Sequence, residues 1–244
     1  MTNQIYSLNG KTVIILGGSS GLGLATAEAA AKEGANVIIV SGNQQRIDQA
    51  LEQLPPTVRG VATDLSNEEN IRSFFADADP FDHLVYTAAE NLRLNELANT
   101  DLDTSKNFLN LRIWGAMAAV KYAAPKIKPG GSINLTGGIA GLRPGKGWVL
   151  AAMICGAMEG LVRGLAVELA PVRVNSVVPG IVKTNLWNSM TETDRNNLFS
   201  SAAAALPVKR IGEAEDIALA FLYLMKQGFG TGQNVVVDGG AVLV

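Results

Sequence analysis

Residues 12–23 read TVIILGGSSGLG, an apolar run followed directly by a glycine-rich stretch. The run is almost entirely β-branched or leucine, which is typical of a strand buried on both faces of a parallel sheet. Gly17, Gly21 and Gly23 let the backbone turn sharply and approach a phosphate, whose charge is met by amides at a helix N-terminus. A glycine triplet alone is weak evidence, but a strand, triplet, helix and second strand in one unit strongly indicate a dinucleotide-binding fold.

Strand-like and helix-like segments alternate along the rest of the chain. The predicted strands are 12–16, 36–40, 58–63, 83–86, 132–135, 173–178 and 234–237. The predicted helices, identified by apolar spacing or by a high content of Ala, Leu and Glu, are 22–33, 44–53, 68–76, 101–126, 149–169 and 213–225. This alternation predicts an α/β fold, a doubly wound parallel sheet of seven strands (a Rossmann fold) with helices on both faces.

The chain is expected to form one domain. Its 244 residues, of which 48% are hydrophobic, can bury one large core, and no repeat or linker divides them. We therefore predict a single domain over 1–244. The segment 184–207 is different, because it is polar, Ala-rich near its end and bounded by prolines at 179 and 207. It is predicted to be a mobile, lid-like helical insertion over the site.

Composition excludes several classes of partner. The net charge of −2 does not favour nucleic acid or an acidic membrane. The single cysteine, Cys155, excludes an internal disulfide, and with His83 as the only histidine no metal site is expected. Residues 1–11 lack a signal-peptide pattern, and the apolar stretches are judged too short to span a membrane. We expect a cytoplasmic protein with a small-molecule substrate and neither nucleic-acid nor membrane partners.

The motifs resemble those of the classical short-chain dehydrogenases/reductases. Gly17, Gly21 and Gly23 match the pattern T-G-x-x-x-G-x-G, with Leu16 in place of the usual Thr. The later matching segments, in the order of the family, are 64–65, 130–133, 173–175, 179–184 and 237–240. The resemblance covers nearly the whole chain.

The resemblance implies a bound nicotinamide dinucleotide. Segment 64–65 resembles the pair that meets the adenine ring, and segment 179–184 resembles the one that receives the nicotinamide carboxamide. The residues expected to bind the cofactor are Gly17, Ser19, Ser20, Gly21, Leu22, Gly23, Ser41, Asn43, Asp64, Leu65, Ala88, Pro179, Gly180, Val182 and Thr184.

The end of the second strand bears on the choice of cofactor. An acid there would bind the 2′-hydroxyl of NAD and repel the 2′-phosphate of NADP. This chain has Ser41 and Asn43 instead, with Arg46 one helical turn further on. Both polar side chains can donate to a phosphate, so NADP(H) is favoured over NAD(H). The alternative is a solvated loop with no selective role.

Other residues stand where the family carries its catalytic Asn, Ser, Tyr and Lys. The resemblance of flanking motifs places these positions at Arg112, Gly138, Ala151 and Cys155. In the family the Tyr is the acid for a carbonyl oxygen, the Lys lowers its pKa, the Ser steadies the substrate oxygen and the Asn supports a proton relay. None of the chain's tyrosines lies in segment 138–160. The sequence therefore predicts that this general acid is absent rather than relocated.

Three functions remain open. A reductase of an imine or iminium fits the lost acid, because an iminium carbon is already positive and accepts hydride without a proton being delivered to oxygen. The alternatives are a catalytically inactive NADP-binding sensor or scaffold, and a non-redox cyclase or isomerase that uses the pocket for positioning. The reductase is favoured because the carboxamide segment, which a sensor of the adenine nucleotide would not need, is intact.

Arg112 and Trp148 are the candidate catalytic residues. Arg112 can orient an anionic substrate group, and the alternative is a salt bridge on a long helix. Trp148 can stack beside the nicotinamide or a cationic substrate, and the alternative is packing at a helix start. Lys146 is expected to be a solvated loop residue, and Cys155 an inert buried thiol far from His83.

The two long predicted helices carry more apolar residues than one sheet contact requires. Those on the first helix are Phe108, Leu109, Ile113, Trp114, Met117 and Val120. The family usually pairs these helices across subunits, and the apolar end at 241–244 would otherwise be exposed. We therefore expect a homo-tetramer or a homo-dimer.

Overall fold

A computed structural model describes residues 6–91 and 94–244 of the chain. The strands are β1 (Thr12–Leu16), β2 (Asn36–Ser41), β3 (Arg59–Ala62), β4 (Phe81–Tyr86), β5 (Ile127–Thr136), β6 (Arg173–Pro179) and β7 (Asn234–Val237). The α-helices are α1 (Gly21–Lys32), α2 (Gln44–Leu51), α3 (Glu68–Asp77), α4 (Leu102–Leu109), α5 (Ala116–Ala123), α6 (Val149–Glu168), α7 (Glu192–Ala205) and α8 (Ala214–Lys226).

The strands form one parallel sheet in the order β3-β2-β1-β4-β5-β6-β7. Alternate residues of β1 enter two separate cores. Val13 and Ile15 pack with residues of α1 and α8 on one face, whereas Ile14 and Leu16 pack with residues of α3, α5 and α6 on the other. This two-sided burial explains the continuous apolar run, and the predicted doubly wound fold is confirmed.

The predicted helix 101–126 is helical throughout 102–126, but it is not one regular α-helix. A π-helix spans Asn110–Gly115 between α4 and α5, and a 3₁₀ turn at Ala124–Lys126 ends the segment. The Tyr86 hydroxyl donates to the Leu111 carbonyl at 2.5 Å, so this carbonyl oxygen of the π-helix has a hydrogen-bond partner. Apolar spacing predicts a helix but does not reveal a local change of pitch, so the sequence did not show this insertion.

Most other predicted bounds differ from the structure by one or two residues, but β5 begins five residues earlier than the predicted start at 132. The edge strand β3 is largely exposed, because it has a neighbouring strand on one side only. The predicted insertion 184–207 contains a 3₁₀ turn at Asn185–Trp187 followed by α7. Its mobility remains a prediction.

Helix α6 corrects the expectation that the apolar stretches are too short for a membrane. Among the described residues it is long and apolar enough, by length and composition, to cross one. One such helix is weak evidence, since the core helix of a soluble protein passes the same test. Met158 and Val162 of α6 are buried in the core that lies on one face of the sheet.

The apolar surplus on the long helical segment is partly explained within the chain itself. Phe108 and Val120 are buried in the structure, so they need no partner subunit. Trp114 and Met117 remain 59% and 47% exposed, and Leu243 near the C-terminus is 79% exposed. The expected subunit contact therefore depends on a smaller set of residues than the sequence indicated.

Candidate active site

A cavity lies at the carboxyl end of the sheet, where the strand order reverses. β1 pairs with β2 on one side and with β4 on the other, so the loops that leave β1 and β4 diverge. Ligands of doubly wound sheets bind in the crevice that this divergence opens. The cavity has a volume of about 500 Å³, which suits a small-molecule site.

The residues predicted to bind the cofactor come together in this cavity. All of them line it except Gly23. Gly23 lies in the first turn of α1, and a Cβ there would overlap the Gly17 carbonyl oxygen. Its role is therefore to bring α1 close to the loop rather than to line the cavity.

The glycine-rich loop has a backbone that only glycine adopts easily. Gly17 has φ +91°, and a Cβ on it would lie 2.5 Å from the backbone nitrogen of Ala88. The loop turns directly into α1, whose N-cap residue Ser20 makes no side-chain capping bond and whose first turn carries no acid. The first amide groups of α1 are thus available to an anion. The loop fits the pyrophosphate of a dinucleotide.

Polar side chains line the cavity at the end of β2. Ser41 Oγ lies 2.9 Å from Ser19 Oγ, so the hydroxyls of the first and second loops are bonded to each other. The side-chain oxygen of Asn43 accepts from the Arg46 backbone at 2.9 Å, which leaves the Asn43 amide nitrogen as a donor. Asp64 also lines the cavity, and its Oδ1 accepts from both the backbone and the hydroxyl of Ser66.

The segment after β6 closes the cavity over the glycine-rich loop. A Cβ on Gly21 would lie 3.4 Å from Cβ of Thr184, so the two loops are in contact. Trp187 is buried, its Nε1 donates to the Val182 carbonyl at 2.9 Å, and its ring meets Phe199 of α7 edge-on. Trp187 also lines the cavity and was not predicted. A tryptophan inside a polar insertion is the sequence feature that could have marked Trp187 as a buried residue of the site.

The four positions assigned to the family's catalytic residues lie together in the lining of the same cavity. A Cβ on Gly138 would lie 3.0 Å from Cys155 Sγ, and the buried Ala151 is one helical turn away on α6. Cys155 is half-buried rather than buried as expected, and burial raises the pKa of its thiol, which disfavours the reactive thiolate. His83 is bonded to Ser132 at 2.9 Å and does not line the cavity.

Arg112 lies on the π-helix and contacts Glu90, which follows β4. Its Nη2 donates to the Glu90 carbonyl, its Nε lies 3.8 Å from Glu90 Oε2, and its guanidinium carbon lies 4.9 Å from the centre of the Phe108 ring. Burial lowers the pKa of Arg112 and raises the pKa of Glu90. Arg112 therefore forms an ion pair with Glu90, and both residues also line the cavity.

Glu90 is the charged residue that sequence reasoning missed. It lies four residues after Tyr86, the last residue of β4. An acidic residue in the loop after a central strand is the sequence feature that could have marked Glu90 as a site residue. Its partner is 22 residues away along the chain, so only the folded structure brings the two together.

Trp148 and Lys146 lie on the loop that precedes α6. Trp148 is the half-buried N-cap residue of α6 and lines the cavity. Lys146 is exposed and pairs with Glu96 at 2.7 Å, which fits the expectation of a solvated loop residue. Trp148 therefore remains a site candidate.

Tyr86, at the end of β4, already uses its hydroxyl in a hydrogen bond. Tyr86 is buried, and its hydroxyl donates to the Leu111 carbonyl. Burial raises the pKa of Tyr86, and the group is held as a neutral structural donor. It is thus unsuited to transfer a proton to a substrate.

A parallel sheet with a glycine-rich first crossover and a cavity at its switch point defines a dinucleotide-binding protein. The enoyl-(acyl carrier protein) reductase family matches residues 17–242. The short-chain dehydrogenase/reductase ucsE of Acremonium sp is 32% identical over 99% of both chains. The short-chain dehydrogenase/reductase malC of Malbranchea aurantiaca is 31% identical over 97% of this chain and 96% of its own. The chain belongs to the short-chain dehydrogenase/reductase family.

Solved structures agree with this assignment. A small-chain dehydrogenase in complex with NADPH has a TM-score of 0.84 and 31% identity, covering 97% of this chain and 100% of its own. The MalC reductase/Diels-Alderase from Malbranchea aurantiaca has a TM-score of 0.88 and 31% identity, covering 97% of both chains. These relatives support an oxidoreductase that uses a nicotinamide cofactor.

Proposed function

We propose that this protein is an NADP(H)-dependent oxidoreductase that reduces an imine or iminium, in a branch of the family without the catalytic tetrad. One observation carries the proposal: the cavity lined by the predicted cofactor residues other than Gly23 also has Arg112, Gly138, Ala151 and Cys155 in its lining. No tyrosine or lysine is among the described residues that line this cavity. A carbonyl oxygen would find no acid of the usual kind there, whereas an iminium carbon needs none.

The chain's own residues bind, orient and exclude water. The glycine-rich loop and the start of α1 hold the pyrophosphate, and segment 179–184 holds the carboxamide. A bound reduced nicotinamide supplies a hydride. Phe108, Leu111 and Trp148 line the cavity and present apolar and aromatic surface to a flat cation.

The decisive experiment compares an imine with a ketone. We expect NADPH oxidation, followed by absorbance, with 3,4-dihydroisoquinoline and none with cyclohexanone. The double variant Ala151→Tyr/Cys155→Lys restores the family's acid, and we expect it to leave imine reduction no faster. Ketone reduction equal to imine reduction in the unmodified protein would overturn the proposal. Tight NADPH binding without oxidation by either compound would instead favour the sensor or scaffold.

A second candidate function is supported by one comparison. The MalC relative is named both a reductase and a Diels-Alderase. A cavity of about 500 Å³ with apolar walls can hold two unsaturated parts of one substrate in reactive proximity. This non-redox cyclase would convert its substrate at the same rate with and without NADPH, which separates it from the reductase.

We expect NADPH to bind more tightly than NADH. Ser41 stands where an acid would repel the 2′-phosphate, and Asn43 and Arg46 line the same end of the cavity. Replacing Ser41 by Asp should reverse the preference in a fluorescence titration, while Ser73→Asp, at an exposed position outside the cavity lining, should not. Tighter binding of NADH by the unmodified protein would contradict the assignment.

We also propose a cytoplasmic homo-tetramer or homo-dimer that uses the exposed apolar side chains of the long helical segment. Trp114 and Met117 are exposed there, and burying them in a partner subunit would remove an apolar patch from water. Light scattering at micromolar concentration should give an oligomer, and Trp114→Arg should shift it to smaller species. A monomeric unmodified protein would rule the assembly out.

A further inference from the structure

Glu90 and Arg112, which both line the cavity, pair through two buried atoms that make no hydrogen bond. Arg112 Nη2 is bonded to the Glu90 carbonyl, but Nε and Glu90 Oε2 lie 3.8 Å apart, too far for a hydrogen bond. Among the described residues, neither of these two buried atoms has a hydrogen-bond partner. Buried polar atoms are nearly always partnered. This pair departs from that rule at a cavity that both residues line, and the exposed part of the Glu90 side chain can meet a ligand there.

The carboxyl group of Glu90 reaches both water and the protein interior. Its side chain is 37% exposed, whereas Oε2 itself is buried. Burial raises the pKa of this carboxyl, and the neighbouring Arg112 opposes the rise. Within the described part of the chain the other ionisable group that interacts with it is Tyr86, whose hydroxyl is already donated to Leu111. Burial therefore favours the protonated carboxyl, and the exposed part of the side chain can exchange a proton with solvent.

We propose that Glu90 is the proton donor to the nitrogen of a neutral imine, and that Arg112 is the positioning residue that holds Glu90. This proposal rests on the proposed function and narrows its substrate class to imines with a basic nitrogen. The O–H bond of Glu90 breaks as the N–H bond forms, which leaves a carboxylate beside an iminium. The iminium carbon then accepts the hydride, giving the amine, and the carboxylate takes its next proton from water.

The position of Arg112 suits this step. A guanidinium 3.8 Å from Oε2 stabilises the carboxylate that remains after proton transfer. The bond from Nη2 to the Glu90 carbonyl holds the backbone that carries the acid. The family's tyrosine donates a proton to an oxygen. Glu90 lies on a different loop and would donate to a nitrogen, so this reaction does not need the tyrosine that the chain lacks.

Two matched probes test the proposal, 3,4-dihydroisoquinoline and N-methyl-3,4-dihydroisoquinolinium. The first must gain a proton before it accepts hydride, whereas the second is already an iminium. We expect Glu90→Gln to lower kcat/KM by about 100-fold for the first and by far less for the second. Glu159→Gln is the matched control, because Glu159 also lies 3.8 Å from an arginine but does not line the cavity. It should affect neither probe.

A second measurement needs no cofactor. At a pH where free 3,4-dihydroisoquinoline is neutral, the bound compound should show the absorption of its protonated form in the unmodified protein and not in Glu90→Gln. Equal loss on both probes, no loss on either, or an unprotonated bound imine would overturn the role of Glu90. If the unmodified protein protonates the bound imine but reduces neither probe, the proposed reduction fails while the proton donor stands.

Discussion

Replacing Gly17 by alanine is expected to weaken NADPH binding by about 30- to 150-fold. The new Cβ would lie 2.5 Å from the backbone nitrogen of Ala88, and a backbone atom cannot move aside as a flexible side chain can. The positive φ of +91° adds strain for any residue with a Cβ. Together these effects cost on the order of 2–3 kcal/mol, and they act on the loop that receives the pyrophosphate. A fluorescence titration measures the affinity.

Gly10 provides the matched control for this variant. It also has a positive φ, +71°, but a Cβ on it would meet nothing within 4 Å. Gly10→Ala should therefore cost about 1 kcal/mol of the free energy of unfolding through strain alone and leave the affinity for NADPH unchanged. If Gly17→Ala bound NADPH as tightly as the unmodified protein, the close contact between the two loops would not be what shapes the cofactor site.

Replacing Arg112 by alanine is expected to lower kcat/KM for an imine by roughly 30- to 900-fold. This loss corresponds to a rise of about 2–4 kcal/mol in the activation free energy. The side chain is only 18% exposed, and its removal leaves the Glu90 carboxyl without the guanidinium beside it. Arg112→Lys keeps a charge but loses the planar fork, so its loss should be intermediate. Steady-state kinetics and an NADPH titration are measured on the same preparations.

Three results for Arg112→Ala can be told apart. Loss of turnover with normal NADPH affinity and a normal thermal unfolding midpoint supports a role in the site. Loss of the folded state shows that the ion pair with Glu90 is structural, and Arg112→Lys then tests the site role. Unchanged turnover would contradict the assignment of Arg112 to the site.

Local patterns were sufficient to predict the sheet and the residues that line one end of the cavity. The apolar runs predicted the strands because parallel strands are buried on both faces, and β1 shows this directly, with Ile14 in one core and Ile15 in the other. The glycine spacing predicted the phosphate loop because its constraint acts between near neighbours, as the overlap of a Gly23 Cβ with the Gly17 carbonyl shows. Segment 184–207 was predicted to be helical, and it contains α7.

At the other end of the cavity, the arrangement of the side chains depends on tertiary contacts that the sequence did not predict. The change of helical pitch at Asn110–Gly115 coincides with a bond from Tyr86, which lies on β4 and is distant along the chain. The same segment brings Arg112 against Glu90, across 22 residues of sequence. Periodicity and motif spacing describe neighbours along the chain, whereas these contacts join separate elements. For that reason the sequence predicted the loss of the usual acid, and only the fold showed that Glu90 lines the same cavity.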